Sequence, residues 1–78
     1  MATSIYSKKY RRFLDLLIRA RKEADLTQME VASRLGRPQS FVSKYENGER
    51  RLDIVEFLEV AKAVDCDPVG LIRKLRSS

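Results

Sequence analysis

Apolar positions along this chain recur at steps of three and four residues in five successive blocks, and no stretch alternates apolar with polar long enough to make a strand. The pattern predicts an all-α fold. The first block runs from about Ser7 to Ala24, with Tyr10, Phe13, Leu14, Leu17, Ile18 and Arg21 on an inward stripe. Lys8, Lys9, Arg12, Arg19 and Lys22 fall on the face toward water or phosphate. A second helix is expected after Thr27, where Thr27-Gln28-Met29-Glu30 has the form of a capping box: the threonine oxygen takes an orphan amide and Glu30 reaches back to the cap. Val31, Ala32 and Leu35 are its core positions, and Gly36 ends it.

A third helix starts at Pro38 or Gln39, because proline is tolerated in a first turn, where its missing N–H has no intrahelical partner. Val42 and Tyr45 face the core, and Asn47-Gly48 is the stop. Asp53-Ile54-Val55-Glu56 is a second capping-box-like start, opening a helix with Ile54, Phe57, Leu58, Ala61 and Val64 inward. Asp67-Pro68 starts a fifth. No linker or repeat divides the sequence, so residues 1–78 read as one domain, with residues 1 to 6 and the Ser77-Ser78 end loose.

Two short helices joined by a tight glycine turn are a way to place one helix into DNA. The second of the pair carries Gln39, Ser40, Ser43 and Lys44 on one face, since residues three and four apart are helix neighbours. All four can bond a base edge or a phosphate. Charge adds to this: the 78 residues hold 16 Lys+Arg against 11 Asp+Glu, a formal charge of +5. The excess is uneven, at +4 over residues 1–26, +2 over 27–51 and −1 over 52–78, so the first two-thirds are expected to face a polyanion.

A domain of this size buries only roughly 60% of the surface its unfolded chain exposes, so its stability is expected to be a few kcal/mol. The single cysteine, Cys66, lies between Asp65 and Asp67 after a helical apolar run and reads as a small buried residue, not a redox centre. With no signal-peptide pattern and no membrane span, the expected location is the cytoplasm. No histidine, metal-spaced cysteine cluster or phosphate-cradling glycine loop is present, which argues against an enzyme, a metal, a cofactor or a small-molecule ligand.

The core formed by Leu26-Thr27-Gln28, Val31-Ala32, Leu35-Gly36, Gln39-Ser40, Val42-Ser43, Tyr45-Glu46-Asn47-Gly48 and Leu58-x-x-Ala61-x-Ala63-Val64 resembles the Cro/C1-type, or XRE, helix-turn-helix regulators of phages and bacteria over roughly Phe13 to Ile72. The resemblance implies a compact five-helix, lambda-repressor-like domain with the helix-turn-helix at helices two and three. It also implies double-stranded DNA as partner, with the second helix of the motif in the major groove and dimers spanning half-sites about 34 Å apart. Gln39, Ser40 and Lys44 match the family's base-reading positions. Glutamine suits adenine N6 and N7, and lysine suits guanine O6 and N7. Gln28 and Asn47 match phosphate-contacting positions, and Thr27 sits beside Gln28 at a helix N-terminus that favours an anion.

The chain departs from the family in three places. Pro38 removes the side chain that often caps the recognition helix, and Arg37 before it is expected on phosphate. Asp25 stands where a glycine is usual, in left-handed geometry that aspartate tolerates at some strain. Phe41 occupies a position often small and polar, and packing over the helix pair is favoured there over contact with a thymine methyl. Arg21 is a charge on an apolar stripe, and its matching family partner is Glu46, which predicts a structural ion pair.

Val69, Leu71, Ile72 and Leu75 are more apolar positions than one short helix can bury against so small a core, so a homodimer through them is expected. The reading is a sequence-specific regulator, a dimeric repressor or restriction-modification-type controller on a roughly palindromic operator. The alternative is an antitoxin or adaptor whose main role is to hold another protein, for which 78 residues leave little dedicated chain.

Overall fold

Each helix begins where a side chain can take an orphan amide, with one exception. In the structure, a computed structural model that describes residues 7–77, Ser7 Oγ accepts from Tyr10 N–H at 3.0 Å and opens α1, Lys8–Glu23. Thr27 and Glu30 exchange bonds of 3.0 and 2.8 Å at the head of α2, Gln28–Leu35. Asp53 and Glu56 do the same at 2.7 and 3.0 Å for α4, Ile54–Ala63. The exception is α3, Gln39–Glu46, whose N-cap is Pro38 and has no side-chain cap bond. The last helix, α5, spans Pro68–Ser77, so Ser77 is helical and not part of a loose end. The expectation of a loose segment at 1 to 6 lies outside the described residues.

The four helices followed by another helix end in the same way. A residue in the left-handed region (Asp25, Gly36, Gly48 or Asp65) directs its own N–H to the carbonyl three back, and the next N–H returns to the carbonyl five back. Those longer bonds are Leu26 to Arg21, Arg37 to Ala32, Glu49 to Lys44 and Cys66 to Ala61, at 2.8 to 3.1 Å. This is the Schellman arrangement, which turns the chain and satisfies carbonyls that the helix leaves open. Asp25 takes the left-handed conformation the sequence led us to expect, with φ of 59°. Asp65, not foreseen, matches it at 57°.

Helices α2 and α3 pack on each other, α2 also touches α4, and α1 lies against α3 and α5. Leu14 and Leu17 of α1, Val31 of α2, Val42 and Tyr45 of α3, Val60 of α4 and the following Val64 are all fully buried between them. Removing each such apolar side chain from water contributes about 1.5–3 kcal/mol.

Three expectations about the apolar stripes are corrected. Ile54 and Leu58 are 64% and 49% exposed. Phe57, Ala61 and Val64 are buried as expected, and Val60 takes the inward place given to Ile54 and Leu58, which also satisfies the three-and-four spacing. Ile18 is half-exposed, whereas Leu16 is buried, because α1 is covered on a second side by α5: Leu16 and Ala20 line the same groove as Val64 and Leu71. Lys9 lies on the exposed face of α1, as expected, and its Nζ donates to Leu75 O at 3.0 Å, which ties α1 to the end of α5.

On α5 itself Leu71 is buried and Leu75 packs partly against the core, while Val69 and Ile72 face out, 54% and 45% exposed. Leu71 is thus filled by the monomer and withdrawn from any partner surface. Cys66 is half-buried, with burial raising its thiol above the ordinary value. Among the described residues no helix is long and apolar enough to cross a membrane.

Candidate nucleic-acid interface

Arg21, Glu46, Gln28 and Gln39 form one relay from the buried scaffold to the exposed start of α3. Arg21 Nε and Nη2 donate to the two oxygens of Glu46 at 2.7 and 3.1 Å, a fork with side chains only 13% and 6% exposed. Arg21 Nη1 also donates to Leu26 O at 3.0 Å, and the bond to Glu46 raises the Arg21 pKa further above its ordinary value. Gln28 Nε2 donates to Glu46 Oε1 at 2.9 Å, and Gln39 Nε2 donates to Gln28 Oε1 at 3.4 Å.

A carboxylate only accepts, so the chemistry of Glu46 fixes which end of each amide points where. Gln28 must present its NH2 to Glu46 and its carbonyl outward. Gln39 must then turn its NH2 to Gln28, which leaves its Oε1 and a second N–H for a ligand.

The remaining expected residues fall as follows. Ser40 and Lys44 are exposed on the outer side of α3, and Ser43, between them, is half-buried. The Thr27 hydroxyl oxygen accepts the Glu30 amide in its cap, so only its O–H hydrogen is left to donate. Gln28 has its Oε1 and one Nε2 hydrogen engaged, so an anion at the start of α2 would meet its second N–H and the first-turn backbone N–H groups. Asn47 is held by the turn after α3: its Oδ1 accepts from Glu49 N–H at 3.0 Å and its Nδ2 donates to the Glu49 carboxylate at 2.7 Å. Phe41 is buried, 7% exposed, which seats its ring in packing and keeps it from a thymine methyl.

Residues 17–71 match the family model described as helix-turn-helix. The chain belongs to the XRE family of helix-turn-helix proteins. A solved structure of an XRE-family like protein from Pseudomonas syringae pv. tomato is 54% identical, with a TM-score of 0.86 over 88% of this chain and 84% of that one. An uncharacterized HTH-type transcriptional regulator of Sinorhizobium fredii, y4dJ, is 37% identical over 54 residues, 69% of this chain and 70% of that protein. The XRE family consists of DNA-binding transcription regulators and not of enzymes.

This XRE domain also has a cluster that was not read from the sequence. Arg50, in the loop after α3, makes a two-point bond with Glu56 at 3.0 and 2.7 Å, and Arg37 approaches the same carboxylate at 3.9 Å. The only sequence signal was the Arg50-Arg51 pair just past the Asn47-Gly48 stop. Arg50 and the Asp53 N–H pull the Glu56 carboxyl from 4.5 down to about 2. Because the folded value lies below the unfolded one, its contribution to stability is complete above pH 4.5 and fades as pH falls toward about 2. Urea midpoints measured at steps from pH 6 to pH 2 are expected to drop across that window, with a shallower drop in Glu56→Gln. Equal slopes would remove Glu56 from the account.

Proposed function

We propose that this protein is a sequence-specific transcription regulator that binds a roughly palindromic duplex operator as a homodimer, acting as a repressor or controller by occupying it. The observation that carries the reading is the relay ending at Gln39, which holds an amide of known polarity at the exposed head of α3. An oxygen beside an N–H matches adenine, whose N6 donates and whose N7 accepts in the major groove. Ser40, Ser43 and Lys44 complete the base-reading face, and the backbone at the head of α2, with Thr27 and Arg37, takes phosphates. Asn47 joins that set only if DNA draws it from Glu49.

The dimer surface is moved from the one the sequence suggested. Ile54 and Ile72 line one apolar groove beside Leu75, with Leu58 one turn on from Ile54 and Val69 one turn before Ile72. A second copy covering these four exposed side chains joins α4 and α5 across a two-fold axis and leaves each α3 outward.

Selection of duplexes from a random pool at moderate salt tests the reading, with light scattering on protein alone and with the selected duplex. A palindromic winner, two chains per duplex and a log-log salt slope of about −0.9 per phosphate neutralised are expected. No winner over random DNA sinks the regulator reading. One chain per duplex sinks the dimer.

A further inference from the structure

The ring of Phe41 lies under two guanidiniums drawn from opposite ends of the recognition helix. Arg37, in the turn before α3, sits 4.4 Å from the ring centroid, and Arg50, in the loop after α3, sits 4.7 Å from it. Glu56 gathers both from below, and it is itself fixed by the Asp53 N–H at 3.0 Å in the cap of α4. Its side chain is 13% exposed, against 38% for each arginine, so the carboxylate forms the floor and the cations the rim.

One arginine with a two-point bond is enough to neutralise Glu56. The second is a positive charge beyond that pair, with the Asp53 carboxylate as a further acid acting on Arg50, and Arg37 has one of its five N–H donors directed at Glu56, at a distance too long for a hydrogen bond. Stacking on an aromatic face orients a guanidinium and strips part of its water, which prepares its fork for a tetrahedral oxyanion.

We propose that Arg37 and Arg50 form one preassembled clamp for a backbone phosphate of the operator, with Phe41 and Glu56 as its positioning residues. This rests on the DNA-binding reading above. Phosphate contacts fix the register of a protein on the duplex without reading sequence, so the clamp sets how α3 enters the groove and not which base Gln39 prefers.

The sign of one substitution tests it. Glu56→Gln keeps the size and the cap acceptor but deletes a negative charge near DNA, which by attraction alone tightens binding. If Glu56 positions the clamp, binding instead weakens, by roughly three- to tenfold on selected and random duplexes alike. Phe41→Leu is expected to weaken both by about threefold with base preference unchanged. Arg50→Lys, which keeps the charge but not the planar fork, is expected to do the same and serves as the test if Glu56→Gln melts. Fluorescence anisotropy from about 50 to 200 mM salt reads these constants, beside thermal melts of each variant. Tighter or equal binding by Glu56→Gln, or an unchanged constant in Arg50→Lys, overturns the clamp and leaves the regulator reading standing. Wild-type protein that binds no duplex overturns both.

Discussion

Replacing Arg21 with Met is expected to lower the melting temperature by roughly 12–24 °C. The reason is the setting of Glu46, 6% exposed and held at 2.7 and 3.1 Å by that guanidinium. Removing one partner of a buried pair leaves the other charged and dry, which costs about 3–5 kcal/mol. Gln28 still donates to Glu46, so the low end applies, and in a domain of this length each kcal/mol moves the midpoint by about 4–8 °C. Arg21→Met with Glu46→Leu is expected to recover part of the loss. Full recovery is prevented because Gln28 Nε2 and Leu26 O each lose a partner. Differential scanning calorimetry on the four members of the cycle measures this, and additive losses would show that the two side chains do not interact.

The largest effect on binding is expected from Gln39→Ala, which should remove about 1–3 kcal/mol of discrimination at one or two base positions of each half-site. Arg37→Ala, by contrast, should weaken selected and random duplexes alike. Gln28→Ala belongs with Gln39→Ala in kind but not in size. It leaves the reading amide in place and frees it to turn over, so the preference is blurred without being lost. Competition against duplexes substituted one base pair at a time separates the three. An unchanged preference profile in Gln39→Ala would take base reading away from the head of α3.

Features that depend on neighbours in the chain were legible before any coordinates. Thr27 with Glu30, Asp53 with Glu56, the uncapped Pro38 and the left-handed Asp25 are all local, and each residue type states its bond. The corrections concern what lies across the fold. Ile54 and Leu58 fit the inward spacing of α4 as well as Val60 does, and only the position of the neighbouring helices decides between them. Leu16 is buried because α5 covers a second side of α1, and Asn47 is engaged by a glutamate two residues on that has no fixed role in a turn. The clamp around Phe41 draws on Arg37, Arg50 and Glu56, three positions that no single helical period connects.

The repeated helix ending has a kinetic meaning. Leu26, Arg37, Glu49 and Cys66 each close a corner onto a carbonyl five residues back, so the chain turns within one residue pair of each helix end and reaches the next helix after three to seven residues. A helical domain assembled from such short loops needs few slow searches for distant partners and belongs among those that fold in microseconds to milliseconds. Stability of only a few kcal/mol is tolerable on that timescale, because a copy that opens reforms its corners long before it meets another open copy.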